Sequence, residues 1–87
     1  REYFPKATAM ARRALDLDPQ SADAYTSLGM IKALYDWEWP EAQAAFRRAL
    51  ELNPGHATAH HWYGVHLNSL KRWDEATAQL GLALELD

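Results

Sequence analysis

The sequence contains no cysteine, and this absence excludes several kinds of chemistry at once. A chain without thiols has no disulfide framework, no thiolate zinc site and no thiol nucleophile. Glycine and proline are also scarce, with four of each among 87 residues, whereas 48% of the residues are hydrophobic. Such a composition argues against a disordered, collagen-like or low-complexity chain. We therefore expect one small domain that is held together by side-chain packing.

Long apolar runs and basic clusters are missing as well. No apolar run approaches the length of about 20 residues that a membrane-spanning helix needs, and Arg1 does not begin a leader of the basic-then-apolar kind. These features predict a cytoplasmic protein, or a fragment whose targeting signal lies elsewhere. The net charge is −3, and no stripe of Lys or Arg is present to neutralise phosphates. We expect neither nucleic acid nor a membrane as a partner.

What the sequence does contain is an internal repeat. The segment ALDLDP at residues 14–19 returns as ALELNP at residues 49–54 and, in part, as ALELD at residues 83–87. Gly29 and Gly64 are 35 positions apart, whereas Ala42 and Ala76 are 34 positions apart. The second unit therefore has one extra residue, which we place in the turn DWEW.

The repeat resembles the tetratricopeptide family, whose 34-residue unit carries W-x2-L-G-x2-Y, then A-x3-F, then P. The matching residues in the second unit are Tyr25, Leu28, Gly29, Ala42, Phe46 and Pro54, and in the third His60, Tyr63, Gly64, Leu67, Ala76 and Leu80. The first unit keeps only Ala7, Ala11 and Pro19. The sequence departs from the pattern at Lys32, His60 and Ala11, where the family has bulkier rings.

This resemblance implies an all-α fold of antiparallel helix pairs that stack as a superhelical solenoid. It divides the chain into residues 1–21, the second half of one repeat, residues 22–56, a complete repeat, and residues 57–87, a truncated third repeat. We expect an excerpt of about two and a half repeats from a larger bacterial protein, because repeat arrays need capped ends.

Helical spacing and turn residues predict five helices, no strand and a right-handed stack. The predicted helices cover residues 4–17, 22–35, 40–52, 57–70 and 74–86. Ser21 is expected to cap the second helix. Gly29 and Gly64 are expected at close helix contacts, opposite small residues such as Ala42 and Ala76, because glycine is otherwise costly in a helix.

Three aromatic residues recur in register, namely Phe4, Trp39 and Trp73. Repeats keep core residues in register, whereas residues that contact ligands vary between repeats. We therefore predict that each of the three fills the bottom of its own helix pair.

Four histidines, His56, His60, His61 and His66, invite a metal hypothesis. Only His56 and His60 are one helical turn apart, and no acidic residue lies between residues 54 and 72 to complete a zinc site. The serines lack a glycine-rich elbow or an oxyanion loop. We predict no metal, no cofactor and no enzyme activity, and expect the histidines to pack or to line a groove.

The family resemblance places ligand binding on the concave side, which the first helix of each pair lines. A polar clamp for a carboxylate terminus is missing, because Asn68 is the only amide there and no Lys or Arg joins it. An apolar and aromatic groove suits an extended or helical peptide instead. The predicted partner-binding residues are Ser27, Met30, His61, Trp62, Val65 and Asn68. Two readings of Trp62 stay open, a peptide anchor or a core residue covered by the next helix.

The sequence thus predicts a scaffold that binds a protein or peptide in the groove. The alternative is a structural spacer or self-association module within a larger regulator or signalling protein. Self-association is predicted through the unpartnered apolar face of the first helix, which consists of Phe4, Ala7, Met10, Ala11 and Ala14.

Overall fold

The structure is a computed structural model that describes residues 5–86, and over this range it contains five α-helices and no strand. The helices are α1 (Pro5–Leu17), α2 (Ala22–Leu34), α3 (Trp39–Leu52), α4 (Ala57–Ser69) and α5 (Trp73–Leu86). The all-α prediction is confirmed, and the predicted helix ends agree to within one residue. Phe4, for which a core position was predicted, lies outside the described residues.

Side chains cap the first helix of each complete pair. The Ser21 hydroxyl accepts a hydrogen bond of 3.1 Å from the backbone N–H of Ala24, as predicted. His56 takes the same place at α4, where Nδ1 accepts a hydrogen bond of 3.2 Å from the backbone N–H of Ala59. Each cap satisfies one of the N–H groups that a helix start leaves without a partner.

The two turns within the helix pairs differ in length. The α2–α3 turn covers residues 35–38 and the α4–α5 turn covers residues 70–72, so the extra residue lies where the sequence predicts it. Both turns contain a residue in the left-handed region, Trp37 with φ 57° and Lys71 with φ 62°. This backbone is uncommon for residues with a side chain and costs about 1 kcal/mol or more, which the surrounding contacts must offset.

The core lies where α4 packs over the α2–α3 pair and against α5. Its buried members are Ala42, Phe46, Tyr63, Leu67 and Ala76. The rings of Phe46 and Tyr63 stack with their centroids 5.8 Å apart, which joins the second repeat to the third. Aromatic pairs of this kind contribute about 0.5 to 1.5 kcal/mol beyond their buried area.

Both helical glycines lie at close contacts, as predicted. A Cβ at Gly64 would lie 2.7 Å from the Leu80 side chain and 3.3 Å from the carbonyl oxygen of Ala76. A Cβ at Gly29 would lie 2.8 Å from the Phe46 ring. Gly29 therefore makes room for an aromatic ring, and not only for a small residue as the sequence suggested.

The prediction that Trp39 and Trp73 fill the bottoms of their helix pairs is wrong. Trp39 is 47% exposed and Trp73 is 60% exposed. Each is the first residue of its helix, and the preceding helix has already ended several residues earlier. The preceding helix therefore does not cover the indole, and the close contacts between the paired helices are made by Phe46 at Gly29 and by Leu80 at Gly64.

Candidate functional site

The predicted binding residues lie on the first helices of the two complete pairs, α2 and α4, which contact each other directly. We call these six residues the α2/α4 surface: Ser27, Met30, His61, Trp62, Val65 and Asn68. Ser27, His61 and Asn68 are exposed, and the other three are half-buried. All six therefore reach the surface, although Gly29, Tyr63 and Gly64 on the same helices are buried.

The repeat makes this surface a set of equivalent pairs. With an offset of 35 positions, Trp62 is equivalent to Ser27 and Val65 is equivalent to Met30. A small hydroxyl in one repeat thus becomes an indole in the next, so the two repeats offer different chemistry at the same structural position. Such variation between repeats is typical of residues that contact a ligand.

The structure does not bring the six residues into one pocket. His61 and Trp62 line a groove of about 560 Å³ between α4 and α5, here called the α4/α5 groove, together with Leu80, Ala83 and Leu84. Ser27 lines a separate groove of about 440 Å³ between α1 and α2, here called the α1/α2 groove. Met30 and Trp62 both pack against the core cluster.

Trp62 accordingly has features of both readings that the sequence left open. Its ring makes an edge contact with His61, with the ring centroids 5.1 Å apart. One part of the side chain packs on the core and another borders the α4/α5 groove. An indole that is half-buried in this way presents a large apolar area at low entropic cost, a combination that favours binding anchors.

The four histidines are used separately. His56 Nε2 contacts the carboxylate of Asp23, which ties the start of α4 to α2. His60 lies between the carbonyl oxygen of Pro54, at 2.8 Å, and the side-chain amide of Gln79, at 2.6 Å. Within residues 5–86 no group of three His, Cys, Asp or Glu side chains is arranged to hold a metal ion.

His66 is the most unusual of the four. It is 2% exposed, its ring lies 5.9 Å from the Phe46 ring, and neither ring nitrogen has a hydrogen-bond partner within the described part of the chain. Burial lowers the pKa of His66, and the nearby charge of Arg72 lowers it further. The imidazole is therefore neutral near pH 7 and acts as a core ring.

An ion cluster around the buried side chains of Lys32 and Asp36, at the α2–α3 turn, was missed by sequence reasoning. The Lys32 ammonium is 3% exposed and lies 3.5 Å from Asp36, 3.2 Å from Glu38 and 3.6 Å from Glu41. The sequence showed Lys32 only as a departure from an aromatic position, and Asp36 and Glu38 as turn residues. The available signal was the spacing of Lys32 and Asp36 by one helical turn, because a buried charge requires a partner.

Hydrogen bonding also lowers the pKa of one carboxylate in this cluster. A side-chain hydrogen bond with Glu41 and then one with Lys32 hold the pKa of Glu38 below its usual value. Glu38 stays ionised and fixes Lys32 to the turn. The cluster is therefore structural, and it lies on the turn and not on the α2/α4 surface.

Antiparallel helix pairs that repeat at 34 to 35 residues define the class of helical-hairpin repeat proteins. The chain belongs to the tetratricopeptide repeat family, since the sequence model of that family, described as "Tetratricopeptide repeat", matches residues 32–87. Tetratricopeptide repeats generally mediate protein–protein interaction and are typically scaffolds without enzymatic activity. No curated protein sequence matches the chain significantly.

A solved structure supports the same assignment. The chain is similar to the protein described as "Crystal structure of MamA", with a TM-score of 0.78 and 28% sequence identity. The match covers 91% of this chain and 46% of the MamA chain, so this chain spans less than half the length of that relative. Of the helices in residues 5–86, none is long and apolar enough to cross a lipid bilayer.

Proposed function

We propose that the chain is a non-catalytic scaffold that binds a peptide segment of a partner protein on the α2/α4 surface. The observation that carries this proposal is Trp62, a half-buried indole at a position where the preceding repeat has the small, exposed Ser27. The core under Trp62 is packed, so its ring is held in place before a ligand arrives. Binding to a fixed side chain avoids part of the entropic cost of ordering it.

The chemistry of the surface suggests an apolar peptide. Met30, Val65 and Trp62 are apolar and half-buried, and Ser27 and Asn68 supply hydrogen-bonding groups beside them. No Lys or Arg belongs to the six, so a ligand recognised mainly by its carboxylates is disfavoured. An extended or helical segment with one large apolar side chain fits this arrangement.

The second candidate is self-association through α1. Met10 is 73% exposed and borders the α1/α2 groove with Ala7 and Ala14. Ala11, which the sequence placed on the exposed face, is buried, and Phe4 lies outside the described residues. Sedimentation velocity of the chain and of Met10→Asp separates the candidates, because only self-association predicts a dimer that this substitution dissolves.

The test of peptide binding uses two tryptophans. Peptides are selected from a displayed random dodecapeptide library against the chain, and the affinity of the best peptide is measured for Trp62→Ala and Trp73→Ala. We expect Trp62→Ala to weaken binding by about tenfold or more, with a fall in melting temperature that corresponds to the part of the ring that packs on the core. Trp73→Ala is the matched control, because Trp73 is exposed at the far end of a helix pair and outside the α2/α4 surface.

Other results would contradict the proposal. An affinity of Trp62→Ala equal to that of the wild type would show that Trp62 does not contact the peptide. Equal losses of affinity in the two variants would show that tryptophans are bound without regard to their position.

A further inference from the structure

A groove of about 640 Å³ runs along α3 beside the α4–α5 turn. We call it the α3 groove, and its lining includes Trp39, Gln43, Arg47, Glu51 and Leu70. Helix α3 packs against α2 and α4, and over the described residues it does not contact α5. The groove is thus bounded by α3 and by the end of α4, and it shares no residue with the α2/α4 surface.

Four of the lining residues follow one another at intervals of four positions on α3, namely Trp39, Gln43, Arg47 and Glu51. Residues at this interval lie on one face of a helix, about 6 Å apart along its axis. The indole of Trp39 and the guanidinium of Arg47 therefore start about 12 Å apart, with the Gln43 amide between them. This face offers an apolar, a hydrogen-bonding and a charged group in that order.

Arg47 is exposed, and among residues 5–86 it forms no ion pair with a carboxylate. Its Nε donates a hydrogen bond of 3.3 Å to the Tyr63 hydroxyl, which is neutral. The other charge in the lining, Glu51, lies 3.8 Å from Arg48 and is already compensated. A guanidinium donates through Nε and through both Nη groups, so the Nη groups of Arg47 are available to a ligand carboxylate.

The polar groups of the groove are held in place by their neighbours. Arg72 donates one hydrogen bond of 3.0 Å to the side-chain oxygen of Gln43 and two hydrogen bonds to the carboxylate of Glu75. The amide nitrogen of Gln43 remains as a donor to a ligand carbonyl. Tyr63, which is 6% exposed, fixes Arg47 in the same way. Side chains that are ordered before a ligand arrives reduce the entropic cost of binding.

The same face differs in the next repeat. With an offset of 34 positions, Trp73 on α5 is equivalent to Trp39, whereas Gly81 is equivalent to Arg47. Residues that contact a ligand vary between repeats, whereas core residues do not. Trp39 is 47% exposed and outside the core cluster, so core packing does not account for its indole. The combination of that indole with an arginine occurs on α3 and not on α5.

We propose that the α3 groove binds an extended segment of a partner protein that carries an aromatic side chain and a carboxylate about four residues apart. The aromatic side chain packs on Trp39, the carboxylate accepts hydrogen bonds from Arg47, and Gln43 donates to a carbonyl group between them. A proline-rich extended chain rises about 3.1 Å per residue, so four residues cover the distance between the two anchors. Charge complementarity with Arg47 selects the acidic residue. This site is additional to the peptide site on the α2/α4 surface.

The probes are two fluorescently labelled heptapeptides, SFPSPES and its reverse SEPSPFS, which present the two anchors in either direction. Fluorescence anisotropy with the full chain gives both dissociation constants. We expect one of the two to bind, and the same peptide with glutamine in place of glutamate to bind about fivefold more weakly. A peptide with the anchors two residues apart, SFPESPS or its reverse, is expected to bind no better than the glutamine peptide.

Variants of the chain assign the two anchors. Trp39→Ala is expected to weaken binding about tenfold or more. Arg47→Gln is expected to remove the preference for glutamate over glutamine, because the preference depends on the guanidinium. Trp73→Ala and Arg12→Gln are the matched controls, since they make the same changes at equivalent positions of the neighbouring repeats. Both controls are expected to leave the affinity and the preference unchanged.

Nuclear magnetic resonance provides a readout that needs no substitution. The indole N–H signal of Trp39 is expected to shift when the binding heptapeptide is added, and the signal of Trp73 is expected to stay in place. This comparison decides the site even if Trp39→Ala does not fold.

Several results would overturn this proposal. They are no binding of either heptapeptide, a preference for glutamate that survives Arg47→Gln, or an unshifted Trp39 signal. An affinity that Trp39→Ala leaves unchanged would reduce the groove to a general anion site. Binding that is lost in Trp62→Ala and kept in Trp39→Ala would assign the heptapeptide to the α2/α4 surface, so this inference would fail while the proposed function stands.

Discussion

Gly64 lies so close to α5 that the absence of a side chain is a packing requirement. We predict that Gly64→Leu lowers the free energy of unfolding by about 1 to 3 kcal/mol, because its Cβ would lie 2.7 Å from the Leu80 side chain. Urea denaturation gives the change. Gly81→Leu is the control, since a Cβ there meets open space and leucine is a better helix former than glycine. A Gly64→Leu curve that matches the wild-type curve would refute the close contact.

His66 provides a prediction about pH. Its pKa in the folded chain lies below the ordinary value because burial, and then Arg72, disfavour the charged imidazole. The unfolded chain therefore binds the proton more readily than the folded chain. The contribution of neutral His66 to the free energy of unfolding is fully present above the pKa of about 6.5 that histidine has in the unfolded chain. It is lost as the pH falls below that value.

The repeat itself supplies the control for this effect. Ile31 occupies the position equivalent to His66 and is also buried. We expect His66→Ile to reduce the loss of stability between pH 7.5 and pH 5.5, measured by urea denaturation at each pH. An unchanged pH dependence would show that the burial of His66 does not cause the loss of stability.

The sequence predicted the environment of single residues correctly where that environment is set by neighbours in the chain or by the repeat period. The Ser21 cap and the close contact at Gly64 follow from short-range patterns and from the repeat. The positions of Trp39 and Trp73 did not follow, because the burial of a residue that begins a helix depends on where the neighbouring helix ends. The pairing of Lys32 depended on how the longer turn folds back, which periodicity does not contain.

At the scale of the elements, the α2–α3 turn depends on the buried Lys32. The Asp36 side chain is fully buried beside it, and removing one member of a buried ion pair leaves the other without its partner. We predict that Lys32→Met lowers the free energy of unfolding by about 3 kcal/mol. Lys32→Met combined with Asp36→Leu is expected to recover part of this loss, because the uncompensated carboxylate is then gone.

Thermal denaturation of the two variants and of the wild type measures this coupling. Equal losses in the single and double variants would show that Lys32 acts through its packed methylene chain and not through its charge. The third repeat is an internal reference, because the position equivalent to Lys32 is the buried, apolar Leu67. The same helix position therefore tolerates an apolar side chain when the turn is one residue shorter and lacks the acidic cluster.

At the scale of the whole molecule, the sequence was sufficient to predict the order of the helix pairs along the chain. It was not sufficient to predict which surface residues line the same groove. The repeat period fixes that α4 follows α2 at an equivalent position. It does not show that Ser27 and Trp62 line two different grooves, because this depends on which side of each helix its neighbours cover. The α2/α4 surface is therefore a prediction about accessible residues and not a single cavity.

The unequal burial of the helices has a consequence for local unfolding. Among the described residues, α1 buries Thr8 and Ala11 and α5 buries Ala76 and Ala83, whereas α2 and α4 bury several residues each. We therefore expect amide hydrogen exchange to be fastest in α1 and α5 and slowest in the three central helices, as measured by mass spectrometry of peptic fragments. Uniform protection along the chain would contradict this gradient. A terminal helix that opens readily is also the one that added contacts protect most, so a segment that packs on α5 should slow exchange in α5 and leave α1 unchanged.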